Sequence, residues 1–377
     1  MKIAVLGAGP AGLYFSYLMK RTWPSYTVRV IEQNPKDATF GFGVVLSGRA
    51  LGFIAEGDPA AIERLTASMQ IWSVQHIEHR GERVVIDGST FSGIRRLALL
   101  QEFQALCLEA GVELEFDRRV QDDAELAAND VVVAADGASS MIRDRHADAF
   151  GTVATDLLNH FAWYGVEKPY DAHTLTFKST SHGVYCAHHY RYTPSMSTFV
   201  AETDARTWDA SGMEAMDEEA RRRHTEVIFA DTLGGRPLIS NKSAWKRWRL
   251  VKNERWHHGN IVLIGDALRT AHPSIGSGTR LAMEDSIALW RAFSAESDIT
   301  AVFDRYERER KPVRDRLNTA AEKSIAWYEA MAQKMKLAPY DFVHDYMLRT
   351  GVMTSERLAR ESPDFMKRYA AKRGDAS

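Results

Sequence analysis

The sequence predicts an α/β protein in which a domain with a parallel sheet is interrupted by a domain with an antiparallel sheet and is followed by a helical C-terminal region. Three observations predict this fold. A strand, a glycine turn and an apolar helix follow one another over residues 2–21. Alternating aromatic and β-branched runs dominate residues 155–254. A uniformly apolar strand, typical of a sheet covered on both faces, then returns at residues 260–265.

Length and composition fit two folded domains. The 377 residues exceed one ordinary domain and suit two. With 45% hydrophobic and 26% charged residues, the chain is typical of a globular protein, which excludes collagen-like, disordered and coiled-coil classes. The 48 Lys and Arg against 50 Asp and Glu leave a net charge of −2. No global positive field therefore attracts nucleic acid or an anionic membrane.

The cysteine content and hydropathy indicate a reducing compartment. Cys107 and Cys186 cannot form a disulfide framework or a four-sulfur metal site, and both lie in apolar runs, which favours buried thiols. The apolar N-terminus could pass for a short signal peptide, but its glycine spacing argues against that. No window approaches about 18 uninterrupted apolar residues. We therefore expect a soluble, cytoplasmic protein; its oligomeric state stays open.

The N-terminal motif GAGPAG has the spacing of a phosphate-binding turn between a strand over 2–6 and a helix over 13–21. Gly7 permits the tight turn, Gly9 lets the backbone approach a pyrophosphate, and Gly12 lets the helix pack against the sheet. The helix N-terminus offers free N–H groups and the positive end of its dipole to phosphates. The motif predicts a dinucleotide site.

An acidic residue in register strengthens this prediction. Glu32 ends the second strand, over residues 27–32, and lies twenty residues after Gly12. Its carboxylate can accept hydrogen bonds from an adenosine ribose. A lone glycine pattern is a weak signal, but strand, helix and acidic residue together favour a dinucleotide site over an ordinary glycine turn.

Two further strands are followed by aspartates. Asp136 follows an apolar strand over 130–135, and Asp266 follows the strand over 260–265. An Asp at the carboxyl end of a parallel strand points into the ligand crevice, where it can accept hydrogen bonds from ribityl hydroxyls. The chain has a single dinucleotide fingerprint, whereas enzymes that hold FAD and NAD(P) on separate folds need two. These features favour FAD.

Pro273, Gly276 and Gly278 follow the second aspartate and open a helix. The positive end of that helix dipole can favour negative charge on a reduced flavin. These residues complete the predicted cofactor site.

The glycine fingerprint, the Asp136-Gly137 segment and the Gly265-Asp266 segment, in this order, resemble the FAD-dependent aromatic hydroxylases, which are single-component flavoprotein monooxygenases. The resemblance implies a Rossmann-like FAD-binding domain interrupted by an antiparallel-sheet substrate domain. The leucine-rich run from Ile94 predicts a helix that ends at Gly111. The resemblance also implies that Arg96, near the start of that helix, meets the FAD pyrophosphate, for which a guanidinium is well suited. The alternative is a solvated arginine at a helix start.

A narrower resemblance, over nearly the whole chain, is to the salicylyl-CoA 5-hydroxylases, which hydroxylate an aryl-CoA thioester para to its phenol. The N-terminal half of the 2-aminobenzoyl-CoA monooxygenases and the violacein-pathway tryptophan hydroxylase share this sequence pattern. Arg269 replaces a usual His, Phe42 replaces a usual Trp, and Pro273 follows the broad family. These departures concern the substrate more than the cofactor. The segments that carry the resemblance are TFGFGVV over 39–45, AHHY over 187–190, STF over 197–199 and IGSGT over 275–279.

Three residues are candidates for chemistry on the substrate. In a strand over 183–192, alternation puts His188 and Tyr190 on one face, and both match the narrower family's pattern. Either could hydrogen-bond a substrate phenol; the alternative is a His–Tyr pair satisfied inside the sheet. His272, just before Pro273, should lie beside the flavin; the alternative is an ordinary loop histidine.

Other clusters carry weaker signals. A basic stretch with two tryptophans, over residues 242–252, could contact the phosphates of a CoA tail or could be solvated surface. The pairs His76 with His79 and His257 with His258 lack companion ligands at a known spacing, so no metal site is predicted. No nucleophile elbow of a hydrolase is present.

The sequence thus predicts an FAD monooxygenase with NADH or NADPH as reductant and O2 as co-substrate. The resemblance implies that a flavin hydroperoxide hydroxylates an aromatic ring, most closely that of salicylyl-CoA at position 5. The alternatives are a hydroxylase of a free aromatic acid or a tryptophan-like substrate, and a non-catalytic binding protein on a flavin fold. The predicted cofactor-binding residues are Gly7, Gly9, Ala11, Gly12, Glu32, Arg96, Asp136, Asp266, Pro273, Gly276 and Gly278. The predicted FAD-binding domain is 1–75, 94–154 and 255–298, the substrate domain 76–93 and 155–254, and the C-terminal helical region 299–377.

Overall fold

The computed structural model describes residues 1–39, 41–276 and 278–374. Phe40 and Ser277, which belong to two of the quoted motifs, lie outside the described residues. In the part that the structure describes, none of the helices combines the length and apolar character needed to span a membrane.

The secondary structure of the described residues alternates strands and helices before ending in helices. The strands are β1 (Lys2–Leu6), β2 (Thr27–Ile31), β3 (Gly43–Ser47), β4 (Gln70–Trp72), β5 (Gln75–His79), β6 (Glu82–Ile86), β7 (Phe91–Arg95), β8 (Glu113–Glu115), β9 (Val131–Ala134), β10 (Thr152–Val166), β11 (His173–Ser179), β12 (Val184–Arg191), β13 (Ser197–Thr203), β14 (Leu238–Ile239), β15 (Lys246–Asn253), β16 (His257–His258) and β17 (Ile261–Leu263). The helices are α1 (Pro10–Thr22), α2 (Gly48–Ala55), α3 (Pro59–Thr66), α4 (Arg96–Ala110), α5 (Met141–Arg145), α6 (Ala147–Phe150), α7 (Ala205–Ala210), α8 (Glu218–Ile228), α9 (Ala230–Leu233), α10 (Gly265–Leu268), α11 (Gly278–Ala295), α12 (Ile299–Glu329), α13 (Met331–Lys334), α14 (Pro339–Leu348), α15 (Ser355–Glu361) and α16 (Pro363–Gly374).

A six-stranded sheet with the order β16-β17-β9-β1-β2-β8 forms the first core. Its pairings are parallel except for β16 with β17. All four residues of β9 are buried, as the uniformly apolar run predicts for a sheet covered on both faces. Full burial of each such Val side chain is worth about 1.5–3 kcal/mol. Since β1, β9 and β17 lie side by side in register, the segments that follow them meet at one sheet edge.

An eight-stranded sheet with the order β14-β10-β13-β12-β11-β5-β6 forms the second core, and β15 also pairs with β10. Its pairings are antiparallel except for β11 with β5. Tyr185 and Phe199 pack on one face with Trp208 of α7 and Phe229. On the other face, Cys186 lies in a core shared with α12, α14 and α16. Cys107 and Cys186 are buried free thiols, as expected.

The observed elements agree closely with the predicted ones, with one correction at helix α4. The run from Ile94 was predicted to be helical, but Ile94 pairs with Val44 in a three-stranded sheet of order β3-β7-β4, and the helix begins at Arg96. Gly111 ends that helix with φ at +88°, as expected for a C-terminal glycine. Of the predicted substrate segment 76–93, β5 and β6 belong to the eight-stranded sheet, whereas β7 does not. The domain boundaries stay a prediction.

Candidate active site

The glycine turn after β1 is shaped by close packing. Gly7 has φ at +102°, and a Cβ there would lie 2.4 Å from the Ala135 carbonyl oxygen. A Cβ at Gly12 would lie 2.1 Å from the Gly7 oxygen, so only glycine lets α1 approach the turn. A Cβ at Gly9 would meet no atom of the described residues within 4 Å. The turn is therefore tight at its two ends and open at Gly9, where a phosphate would approach.

Glu32 lies over this turn. The Ala8 N–H donates to Oε2 of Glu32 at 2.9 Å. The backbone N–H and the side-chain amide of Asn34 donate to Oε1 at 2.9 and 2.6 Å. Each carboxylate oxygen can accept more than one hydrogen bond, so the group keeps capacity for a ribose hydroxyl.

Arg96 and Asp266 belong to one electrostatic environment. Asp266 is exposed, yet desolvation raises its pKa, which indicates a group at the bottom of a cleft. Desolvation lowers the pKa of Arg96, and the charge of Asp266 opposes that shift. In the described part of the chain no acceptor is bonded to the Arg96 guanidinium. A cation and an anion that face the same cleft without direct pairing fit a ligand between them.

Asp136 has one satisfied and one unsatisfied oxygen. Its Oδ2 accepts a hydrogen bond from the Met141 N–H at 2.9 Å, at the start of α5. Its Oδ1 is buried and has no partner among the described residues. Desolvation raises the pKa of this carboxyl. A buried acceptor without a protein donor is suited to a hydroxyl group of a ligand.

Helix α12 supports the Gly265-Asp266 loop from behind. Arg314 pairs with the buried Asp285 at 3.1 Å and donates to the carbonyl oxygens of Gly265 and Arg269 at 3.4 and 3.0 Å. The Gly265 N–H donates to Asp285 at 3.2 Å. A Cβ at Gly265 would lie 3.1 Å from the Ala11 side chain, so α1 and this loop are in close contact.

The loop that leads into α11 is a single helical turn, Pro273–Ile275, followed by Gly276 at φ +56° and then by α11 itself from Gly278. Arg269, which departs from the family pattern, pairs with Asp315 of α12 at 2.7 Å. The structure therefore places the predicted cofactor-binding residues on the turns after β1, β2, β9 and β17, and at the starts of α4 and α11.

His188 and Tyr190 lie on one face of β12, as alternation predicts, but in different contacts. The Tyr190 hydroxyl is buried and donates to the Gly43 carbonyl oxygen at 3.0 Å. Nε2 of His188 lies 3.2 Å from the Tyr328 hydroxyl of α12. The hydrogen bond of Tyr190 suits a structural role, so its part in catalysis stays a prediction, whereas His188 is bonded to another titratable side chain.

His272 connects the cofactor loop to the C-terminal helices. It is 5% exposed, and its Nδ1 lies 2.8 Å from the Ser274 hydroxyl. That hydroxyl lies 2.8 Å from the Ser324 hydroxyl of α12, which accepts a hydrogen bond from Arg349 at 3.1 Å. Arg349 also donates to the Ser274 carbonyl oxygen at 2.8 Å.

A third histidine, which sequence reasoning missed, completes what we call the histidine cluster, His173, His188 and His272. His173 begins β11 and its ring lies 5.8 Å from that of Tyr190. Desolvation, with the positive charge of Arg349, lowers the pKa of His173 and of His272 to about 4. Desolvation also lowers the pKa of His188 well below its usual value, and the neighbouring His173 and Arg349 add to the effect. The cluster is therefore neutral at physiological pH.

Tyr328 and Arg349 were also missed. Both lie in the charged C-terminal helical region, where nothing in the local pattern distinguishes a cluster-facing side chain from a solvated one. The Tyr328 hydroxyl lies 3.4 Å from that of Tyr346, and the Arg349 guanidinium stacks 3.7 Å from the Tyr346 ring centroid. The signal that could have found His173 is its place at a strand start, on the same face as Tyr190.

The histidine pairs that were considered for metal binding have ordinary partners. Nε2 of His79 bonds to the Leu337 carbonyl oxygen at 3.1 Å. His257 lies 3.1 Å from Asp304. The prediction that no metal is bound stays a prediction.

The FAD binding domain family matches residues 79–321. The chain is 36% identical over 361 residues to salicyloyl-CoA 5-hydroxylase of a Streptomyces species, which covers 93% of this chain and 70% of the relative. The chain belongs to the FAD-dependent aromatic monooxygenases, and its resident cofactor is FAD.

A second relative and a solved structure agree with this assignment. The 3-hydroxy-4-methyl-anthranilyl-[aryl-carrier protein] 5-monooxygenase of Streptosporangium sibiricum is 33% identical over 328 residues, 87% of this chain and 89% of the relative. PqsL of Pseudomonas aeruginosa, solved in complex with 2-aminobenzoylacetate, superposes with a TM-score of 0.70 at 20% identity, over 93% of this chain and 99% of that one. At this identity the superposition shows the common fold.

Proposed function

We propose that this monooxygenase hydroxylates an aryl-CoA thioester, with salicylyl-CoA hydroxylated at position 5 as its substrate and NADH or NADPH as its reductant. The similarity to two relatives carries the proposal. Their names assign them an aryl group on a large carrier, CoA in one case and a carrier protein in the other. Residues of the eight-stranded sheet support the proposal.

The geometry of the sheet edge supports an assignment of the cofactor contacts. FAD, when bound, supplies the redox chemistry by which one oxygen atom of O2 reaches the ring. We assign the diphosphate to the glycine turn over 7–12 and to Arg96, the adenosine ribose to Glu32, and the ribityl hydroxyls to Asp136 and Asp266. Unpaired or accessible polar groups at these positions favour the assignment.

An aromatic wall beside the histidine cluster suits an aromatic substrate. The Trp248 ring of β15 lies 5.2 Å from that of Phe161, 6.0 Å from that of Trp163 and 6.1 Å from that of His272. Aromatic rings pack favourably at such distances in tilted and edge-to-face arrangements. A substrate ring held against this wall would lie next to neutral imidazoles that can accept a hydrogen bond from its phenol.

We assign polarisation of the phenol to His188. A neutral imidazole can take a phenol proton, and removal of that proton raises the electron density at the para carbon of the ring. The Tyr328 hydroxyl orients the His188 ring from the α12 side. Helices α12 and α14 cover this region, which keeps water from the reacting ring.

The basic strand β15 suits the phosphates of a CoA tail. Lys246, Arg247 and Arg249 are exposed, whereas Trp248 between them faces His272. Arg247 approaches Asp156 at 3.8 Å. Within the described residues, neither Lys246 nor Arg249 forms an ion pair. One strand thus presents an aromatic ring to His272 and exposed cations at its surface.

The test is a substrate panel. Purified protein is assayed for NADH and NADPH oxidation with salicylyl-CoA, 2-aminobenzoyl-CoA, free salicylate and tryptophan, and products are identified by mass. We expect a hydroxylated thioester and inert free acids. Hydroxylation of a free acid or of tryptophan, with the thioesters ignored, would overturn the proposal in favour of a hydroxylase of free aromatic substrates.

A further inference from the structure

A buried carboxyl group lies beside His188 and has no role in the proposed reaction as described above. Glu202 on β13 pairs with Cys186 on β12, and it is 7% exposed. A carboxylate oxygen of Glu202, Sγ of Cys186 and a ring nitrogen of His188 all lie within 4.8 Å of one another. One water molecule spans a separation of this size, so a proton can pass between the imidazole and the carboxylate.

The surroundings of Glu202 hold it in place and leave it able to change charge. The Asn159 side-chain amide donates to Oε1 of Glu202 at 2.8 Å. Desolvation raises the pKa of Glu202 to about 7; the Asn159 hydrogen bond opposes the rise, and the charge of Glu329 on α12 adds to it. Near neutral pH the carboxyl is divided between its two forms, which suits a proton acceptor.

The other groups that face this pair keep their charge near pH 7. Desolvation raises the pKa of the Cys186 thiol and of the Tyr328 and Tyr346 hydroxyls, so all three stay protonated. Arg349 contributes a guanidinium, which proteins do not deprotonate, and the histidine cluster stays neutral.

An imidazole that resists protonation cannot keep a proton. The low pKa of His188 means that an imidazolium there is costly. A carboxylate whose pKa is about 7 is the better final acceptor. The nearby positive charge of Arg349 favours the phenolate that remains.

We propose that Glu202 is the final acceptor of the substrate's phenol proton and that His188 carries the proton to it. The phenol O–H bond breaks as a ring nitrogen of His188 takes the proton. The ring then passes a proton to the Glu202 carboxylate, which leaves a phenolate at the substrate, a neutral imidazole and a neutral carboxylic acid. This inference rests on the proposed function.

The test is Glu202→Gln in the FAD-loaded enzyme. The amide keeps the shape and can still accept the hydrogen bond from Asn159. Wild-type hydroxylation should rise with pH through about 7, as Glu202 ionises. In the variant we expect this rise to be lost and hydroxylation above pH 7 to be about 10²-fold slower. Flavin content and the rate of flavin reduction should not change.

Glu78→Gln is the matched control, because Glu78 lies in the same sheet on the strand β5 and has its own partners, Thr176 and Arg83. We expect it to keep the wild-type pH profile. Cys186→Ala tests the thiol, and it should also keep the profile.

A second readout needs no substrate. In histidine labelled with ¹⁵N, the ring signals of His188 should shift with a midpoint near pH 7 in the wild type and lose that shift in Glu202→Gln. An unchanged pH profile together with an unchanged titration would overturn the proposal. If the wild type hydroxylates no thioester, the proposed function fails, and the titration still decides whether Glu202 and His188 are coupled.

Discussion

The carboxyl edge of the six-stranded sheet and the histidine cluster on the eight-stranded sheet are both polar, but they are assembled differently. Gly7, Asp136 and Asp266 lie in the segments that follow β1, β9 and β17, and these parallel strands bring them together. His188 and His272 come together with Tyr328 only because α12 packs against both the sheet and the cofactor loop. The residues of the first region are specified by short sequence segments, whereas those of the second region are brought together by tertiary packing.

The two regions also differ in how complete they are. At the sheet edge, Asp266 is exposed, Oδ1 of Asp136 has no donor among the described residues, and Gly9 faces open space. In the histidine cluster, by contrast, His188 and His272 are hydrogen-bonded within the protein. The edge thus presents polar groups that no described residue satisfies, whereas the side chains of the cluster already hold one another in place.

The largest expected effect separates the two regions at His188. His188→Ala should slow hydroxylation by about 10²- to 10⁴-fold, because it removes the proposed acceptor of the phenol proton. Flavin content should stay at the wild-type level, since His188 lies on the eight-stranded sheet and not at the edge of the six-stranded sheet. Product yield per NADH consumed and the flavin absorbance measure the two effects. Normal turnover in this variant would assign His188 to a structural role.

Substitution at the sheet edge should have the opposite signature. Glu32→Ala and Asp266→Ala each remove one of the proposed charge-assisted hydrogen bonds to FAD, a contact worth roughly 1.5–3 kcal/mol. The affinity for FAD should therefore fall by about 10- to 150-fold. Flavin titration of the folded apoprotein measures this. Wild-type affinity in both variants would show that these carboxylates do not contact the cofactor.

Tyr328→Phe tests whether α12 takes part in the substrate region. The variant loses the hydroxyl that lies 3.2 Å from His188. A single hydrogen bond of about 0.5–1.5 kcal/mol predicts hydroxylation slowed by roughly 2- to 10-fold, with unchanged FAD affinity. Single-turnover kinetics measure the rate. The comparison between the regions would be weakened if FAD affinity fell instead.

The smallest effect is expected at the exposed strand β15. Lys246→Glu and Arg249→Glu should each raise KM for a CoA thioester by about 2- to 5-fold at low salt, the scale of an exposed charge contact. High salt should reduce the difference. The KM of a short thioester without phosphates is the internal reference, and Arg223→Glu on α8 is the matched control. An equal change for both thioesters would argue against phosphate contacts here.

Much of the cofactor edge was predictable from local patterns. The sequence predicted the turn over 7–12, Glu32 and the two aspartates as site residues because each lies at or after the end of a predicted strand. The structure places them at one edge of the sheet. The boundary at Ile94 was wrong because a leucine-rich stretch reads as helix, whereas pairing with Val44 extends the preceding residues into β7. Pairing between residues about fifty positions apart does not alter the periodicity of the apolar residues around Ile94, so the local pattern could not show it.

The histidine cluster was predictable only in part. Alternation in β12 placed His188 and Tyr190 on one face, as observed. This alternation could not show that the Tyr190 hydroxyl donates a hydrogen bond to the Gly43 carbonyl oxygen, or that Glu202 lies near His188. Those contacts depend on the register between strands and on the chain that packs over them.

By itself the sequence predicted a dinucleotide-binding turn over 7–12, because the spacing of its glycines between a strand and a helix is a local pattern. One steric reason is local as well, since a Cβ at Gly12 would lie 2.1 Å from the carbonyl oxygen of Gly7. Only the tertiary structure decided which groups surround His188, because Glu202, Tyr328 and Arg349 come from separate strands and helices. Their burial, and hence the pKa of His188 and of Glu202, arises when α12 and α14 cover the sheet and exclude water.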